Sequence, residues 1–312
     1  MTTTLTEEKT TPIATGLSPA RRRGLALRGS AASLTVVTVL GHTVLGFEQA
    51  YAAPVAAVAA ALIAELVLES VDARAHRRHP RYLMPFGRAV DFFLPSYCVG
   101  LLCAMLLYGT ASLTPTVLAA VVAVGSAYVV RPRCLNPVAL GVVAVLVLCP
   151  QADLAPPYQF TAWVSGVFDV IVPLGLLGLG VAPHVRLTGR MPLILAWAGG
   201  FAAQAVVRGL FTDVSAAGAL LPMTGAMFVL FTTFVIVDPD TTPSRPLHQV
   251  AFGMSAAVVY GLLVHLHISN GLFVALLLVC AARGVGLAIL ARSRTGPDQI
   301  APTAPALAGA RS

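Results

Sequence analysis

The chain has 312 residues, of which 57% are hydrophobic and only 11% charged. Soluble domains carry roughly 45–50% apolar and about 25% charged residues, so the excess has to face lipid rather than fill one core. A soluble enzyme, a disordered scaffold and a disulfide-stapled secreted module are excluded. The 20 Lys+Arg against 13 Asp+Glu are then tested first as orientation signals.

Residues 1–23 begin polar and Thr-rich, with Glu7, Glu8 and Pro12 and no apolar run. They read as a disordered cytoplasmic tail, because a signal peptide would place basic residues before a short apolar stretch. Residues 24–292 form the membrane domain, with ten apolar segments at approximately 25–47, 50–70, 90–108, 111–130, 137–150, 163–182, 192–210, 217–237, 247–265 and 271–291. The fifth is the shortest and reads as a half-span or a tilted helix. The Pro/Ala-rich residues 293–312 form a second tail. Barrel strands would alternate with period two, and these segments do not. Their backbone groups must be satisfied within the segment, so the fold class is all-α and polytopic, with about ten transmembrane helices. Small residues such as Gly175, Gly178, Gly180, Gly199 and Gly200 permit close helix approach.

With the N-terminus in the cytoplasm, the basic groups at residues 9–28, 74–88, 131–133, 186–190, 245 and 283–311 all fall on the inner side. Nineteen of the 20 Lys+Arg are thereby placed, and Arg208 alone lies at an outer end. Both termini are expected inside, in a bacterial inner membrane. The basic composition is orientation code, with the bilayer as partner and no nucleic acid.

Ionisable residues within a membrane are functional suspects by default. Asp169 lies inside the sixth span and is an in-membrane candidate, or else a carboxylate at the helix start. Glu65 and Glu69, four apart on one face, read as snorkelling beside the basic loop. Asp91 reads as an N-cap or a partner of Arg88. His42 reads as a packed, hydrogen-bonded histidine. His265 and His267 are two ligands at most, and the five cysteines form no CxxC pair, so no metal site is expected. Cys134, among arginines, is the one thiol placed to favour a thiolate.

Two inner loops break the apolar run. The first is Arg131–Gly141, with Asn136 and Pro137 entering the fifth span. The second is Val237–Pro246, with Asp238, Pro239, Thr241, Thr242, Pro243 and Arg245. Pro137 and Pro246 suit the first turn of a following helix. Asn136 and Asp238 suit caps and turns. The pair reads either as two tight capped turns or as a polar cradle, where helix N-termini and arginine favour an anionic group.

At these loops the chain resembles the RnfD/NqrB family of ten-helix membrane subunits of sodium-pumping NADH:quinone reductase and of the Rnf ferredoxin:NAD complex. Asn136, Pro137 and Gly141 match its Asn-Pro-x-x-x-Gly stretch. Asp238, Pro239, Thr241 and Pro243 match its Thr-Asp-Pro-x-Thr-x-Pro stretch, with Val237 replacing the first threonine. Gly253, Gly261 and Gly271 follow as in the family. Ser165-Gly166 runs on into Val167-Phe168, so the family's covalent flavin motif is not found. The Asp-Pro-x-Thr-Thr-Pro form is similar to the UnbU-type branch of enediyne biosynthesis membrane proteins.

The resemblance implies two five-helix inverted repeats and a redox-linked accessory step in assembling a polyketide-derived enediyne. It implies a non-covalent FMN or riboflavin at Asn136, Pro137, Asp238, Thr241, Thr242 and Arg245, and other subunits of a biosynthetic or redox complex as partners. A transporter or exporter of a small molecule is the alternative, and whether the chain is an enzyme stays open.

Overall fold

The computed structural model describes residues 18–109, 112–130, 134–156, 166–211, 215–268 and 270–294. Helix dominates them. The first half contains α1 (Pro19–Thr43), α2 (Ala52–Ala75), α3 (Phe86–Leu106), α4 (Thr114–Val129) and α5 (Pro137–Leu148). The second contains α6 (Phe168–Pro183), α7 (Met191–Phe211), α8 (Ala216–Leu220), α9 (Ala226–Leu230), α10 (Pro246–His265) and α11 (Gly271–Arg294). Proline stands in the first two positions of α1, α4, α5 and α10, where its missing N–H removes nothing the helix would use. Ser18 caps α1, so helix begins five residues before the expected membrane domain.

The apolar segments fall on helix where they are described, residues 163–165 of the sixth lying outside the described residues, but their lengths are unequal. Six helices are long and apolar enough to cross a membrane: α1, α2, α3, α7, α10 and α11. α4, α5 and residues 170–183 are shorter apolar helices. The eighth segment is not the single helix expected at 217–237. It is α8, a 3-10 turn at Leu221–Thr224, α9 and a π turn at Phe231–Val235, bent by 59° at the break. Pro222 lacks an N–H and Gly225 is extended (φ −80°, ψ 152°), so the α-helical ladder stops there and restarts at Ala226. A two-stranded antiparallel ribbon was also not expected: β1 (Leu107–Gly109) follows α3 and pairs with β2 (Ala152–Leu154), Tyr108 opposite Asp153.

The surface is that of an all-α membrane protein. Val55, Ile63 and Val71 repeat every eight residues along one face of α2, and each is more than half exposed. On α7, Leu195 and Leu210 are equally open. Such faces need an apolar solvent.

The two halves fill their helix contacts with different side chains. In the first, α2 lies against α3 and α4, and α4 against α5. The contacts are made by small residues: Ala57, Ala61, Ala119, Ala120 and Ala123 are fully buried. A Cβ on Gly100 would lie 2.7 Å from Val58 Cα, and one on Gly141 would meet Ala119 O and Ala123 Cβ. Backbones therefore approach until they touch, which replaces the missing hydrophobic drive between helices in lipid. In the second half α7 lies along α10. An aromatic core fills the space, with Trp197 against Phe201, Phe228, Phe231 and Tyr260. Trp197 Nε1 donates to Thr232 Oγ1 at 2.9 Å.

Gly100→Val and Gly141→Val should each force backbones apart and lower stability by about 1–3 kcal/mol. Gly125→Ala, where no atom lies within 4 Å of the new Cβ, should leave it unchanged or slightly raised. Thermal unfolding midpoints of the detergent-solubilised variants measure the difference.

Candidate functional site

The two loop motifs meet at the arginine-rich end of the bundle. Asn136, 1% exposed, caps α5: its Oδ1 accepts from Ala139 N at 3.0 Å. Its Nδ2 donates to Val235 O, the last residue of the π turn below α9, at 2.9 Å. Pro137 takes the first position of α5, as its sequence context predicts. On the other loop Asp238 organises a tight turn. Its Oδ1 accepts from Asp240 N and its Oδ2 from Thr241 Oγ1, each at 3.1 Å. Its carbonyl accepts from both the hydroxyl and the N–H of Thr242. Thr241 and Thr242 are buried, and these bonds satisfy them inside an apolar surround.

Three arginines hold this turn from other elements. Arg283 of α11 donates to Thr241 O at 3.0 Å. Arg23 of α1 pairs with Asp240 at 3.1 Å, with both side chains partly exposed. Arg190, which precedes α7, donates through Nη1 to Thr242 Oγ1 at 2.7 Å and to Pro243 O. Arg190 is the only Lys or Arg among the described residues that is buried. No carboxylate lies within ion-pair distance of it among those residues, and its Nε and Nη2 make no hydrogen bond there. Burial pushes its guanidinium below the ordinary range, while Asp238 and Asp240 act in the opposite direction from further away. It remains a cation.

Arg245 does not join the cluster. It is exposed, and its backbone precedes α10 without a side-chain cap. The guanidinium groups that do reach the turn are those of Arg190, Arg283 and Arg23, whose charges the sequence marks only as orientation signals. Asp169 is the second residue of α6, and its side chain lies outside the described residues. Arg131 and Arg133 also lie outside them.

His184 has no precedent in the sequence reading. It opens a π turn at His184–Thr188 that faces the π turn at Phe231–Val235. Nε2 lies 2.9 Å from Thr233 O and Nδ1 3.0 Å from Thr188 Oγ1. A carbonyl only accepts, so the proton is on Nε2 and Nδ1 accepts from the threonine. Burial pushes the imidazole down to about 4.

A second polar cluster forms where α2, α3 and α4 converge. Glu69 does not snorkel: it is fully buried, bonded by Arg78 through both Nη atoms and by Arg81 through N, Nε and Nη2. Arg78 also pairs with Asp72, and Arg81 lies over the Phe92 ring. Asp91 pairs with Arg28 of α1 at 2.7 Å, not with Arg88, because α3 starts at Phe86 and carries Asp91 past the cap position. His42 is hydrogen-bonded as expected, Nδ1 to Thr38 O at 2.9 Å. The five cysteines are free, and no group of metal-ligating side chains occurs among the described residues.

His184 gives a pH dependence with a defined sign. The unfolded chain takes up a proton below its ordinary value of 6.5, and the folded chain refuses it until about 4. Stability is complete above pH 6.5 and falls between 6.5 and about 4, by about 3 kcal/mol in all. Unfolding midpoints in detergent across this range should show the slope, and the His184→Gln variant should lack this contribution.

The chain matches no protein-family model and no curated protein.

Proposed function

We propose that the chain is a ten-span inner-membrane protein of RnfD/NqrB-like architecture, serving a redox-linked accessory step in enediyne assembly. Taking α8 and α9 as one interrupted span, the halves are α1–α5 and α6–α11. Packing within one recurs within the other. α1 on α3 is matched by α6 on α9, α2 on α3 by α7 on α8, α2 on α4 by α7 on α10, and α4 on α5 by α10 on α11. Contacts between halves join equivalent helices: α1 with α6, α3 with α9 and α5 with α11. α3 also packs on α4 and α5, which α9 does not repeat to the same extent because its span is broken. An odd number of spans per half makes the second half run opposite to the first, which is the geometry of an inverted repeat. In this reading the arginine-rich end is cytoplasmic.

Arg190 carries the site assignment. A largely buried guanidinium that binds the turn through Nη1, beside the N-termini of α7 and α10, suits a phosphate-bearing cofactor such as FMN. Thr242 and Pro243 would hold Arg190 in place for it, and Asn136 and Asp238 would hold the two loops together. A flavin held there would supply one- and two-electron transfer.

The detergent-purified protein should show a flavin absorbance spectrum, with the flavin released on denaturation because it is not covalently attached. Arg190→Gln should lose most of it. A preparation with no flavin, and none acquired on incubation with FMN, overturns the redox reading. Deleting the gene from a producing strain should abolish formation of the enediyne core. Intact synthesis with product retained in the cells would instead make the chain an exporter.

A further inference from the structure

Glu65 and Glu69 are one helical turn apart on α2, yet their surroundings differ in kind. Glu69 is held as a carboxylate by two guanidinium groups. Glu65 has hydroxyl partners instead: Ser96 Oγ bonds its Oε2 and Tyr128 OH its Oε1, each at 2.8 Å. No arginine, lysine or histidine lies within ion-pair distance of it among the described residues. Hydroxyl groups both donate and accept, so they can satisfy this carboxyl with or without its proton.

Glu65 also lies within the apolar segment of α2, half-buried. Five residues, about 7.5 Å of helix, separate it from residue 70, where that run gives way to Asp72 and Arg74. On the far side Ala57 and Val58 of α2 meet Gly100, and Ala57, Ala61, Gly100 and Leu101 are buried, so among the described residues these turns carry no polar side chain onward in that direction. Toward the arginine-rich end the route is open. Tyr128 lines a cleft of about 560 Å³ together with Asp72, Arg78, His79 and Arg81. Its hydroxyl accepts from Arg81 Nη2 at 3.4 Å and lies 3.5 Å from Glu69 Oε2.

We propose that Glu65 is a reversible proton-binding site within the membrane, reached from the cleft through the Tyr128 hydroxyl and closed toward the opposite face. On release, the Glu65 carboxyl passes its proton to the Tyr128 oxygen while that hydroxyl gives its own proton to water in the cleft. One O–H bond forms for each that breaks, and uptake is the reverse. Glu69 acts as a positioning residue: bound to Arg78 and Arg81, it keeps its charge and fixes the Arg81 guanidinium beside the phenol. The other ionisable groups on the packed elements are otherwise engaged. Asp72 pairs with Arg78, Asp91 of α3 with Arg28, and Tyr97 of α3 bonds Thr35. Cys98 of α3 is a half-buried thiol on the same helix as Ser96. The site depends on the membrane placement of α2 and not on any flavin.

Infrared difference spectra of the full chain in lipid nanodiscs, recorded from acid to alkaline pH, test this directly. The expected result is an un-ionised carboxyl band that disappears with rising pH and is missing in Glu65→Gln. In Tyr128→Phe the band should persist, with its shift on transfer to heavy water slowed by roughly 10²-fold or more. Should Glu65→Gln fail to fold, Ser96→Ala, which removes one hydrogen bond, should shift the band in a folded protein. The proposal is overturned if no titrating band responds to either substitution, or if Tyr128→Phe exchanges as fast as the unsubstituted chain. A midpoint displaced by exchanging potassium for sodium would also overturn it, by making Glu65 a cation site. The flavin spectrum can fail or succeed without altering any of these readings.

Discussion

One amide holds the two halves of this bundle in register. Asn136 uses its oxygen to cap α5 and its nitrogen to bind the carbonyl of Val235, so a helix start in one half is tied to a helix end in the other. In lipid neither group would have water as a substitute, and losing either bond leaves a buried polar atom unanswered. The Asp238 turn begins three residues after that carbonyl. Its fixed position lets Arg190, Arg283 and Arg23 reach it from α7, α11 and α1. The loop assembly is thus a junction of five elements, fastened mainly by hydrogen bonds to backbone.

Charge is handled by two contrasting rules. At the Glu69 cluster, carboxylate and guanidinium are buried or half-buried together, each answering the other. Breaking such a pair from one side leaves an uncompensated charge, which is the costly case. At the loop junction a buried cation is met by neutral oxygens, and its nearest carboxylates are already engaged in the turn or at the surface. The first arrangement is complete within the chain. The second sets a cation among backbone and hydroxyl oxygens, with its carboxylates at a distance.

Much of this was legible in the residues. Apolar runs located the helices of the described residues, six of them long enough to cross a membrane, because nothing else in an 11% charged chain competes with hydropathy as a signal. Asn136-Pro137 read correctly as a cap and first turn, and Asp238 as a turn former, because both act locally. What stayed hidden depends on partners distant in sequence. The 217–237 run is as apolar as an unbroken helix, and only the backbone shows that Pro222 and Gly225 divide it. Arg190 and Arg245 are equivalent by charge counting, yet one is buried against Thr242 and the other is exposed. Glu69 sits beside a basic loop under either reading; whether that loop folds back over it is a tertiary fact. His184 carries no sequence signal, because its partner carbonyl is 49 residues away.

The π turn at Phe231–Val235 has a further effect on how this chain can vary. Ile236 N bonds to Phe231 O, so the segment carries one residue more than an α-helix would need. Thr233 and Val235 present their carbonyls to His184 and Asn136 from within this turn. Removing a single residue here could restore regular winding at little local cost. It would also rotate everything beyond by about 100° and draw it back by about 1.5 Å, carrying Asp238 off the side where the arginines wait. Bilayer thickness therefore does not set the length of this segment. It is counted out between two fixed points, so insertions and deletions should be tolerated in the neighbouring apolar helices long before they are tolerated in these five residues.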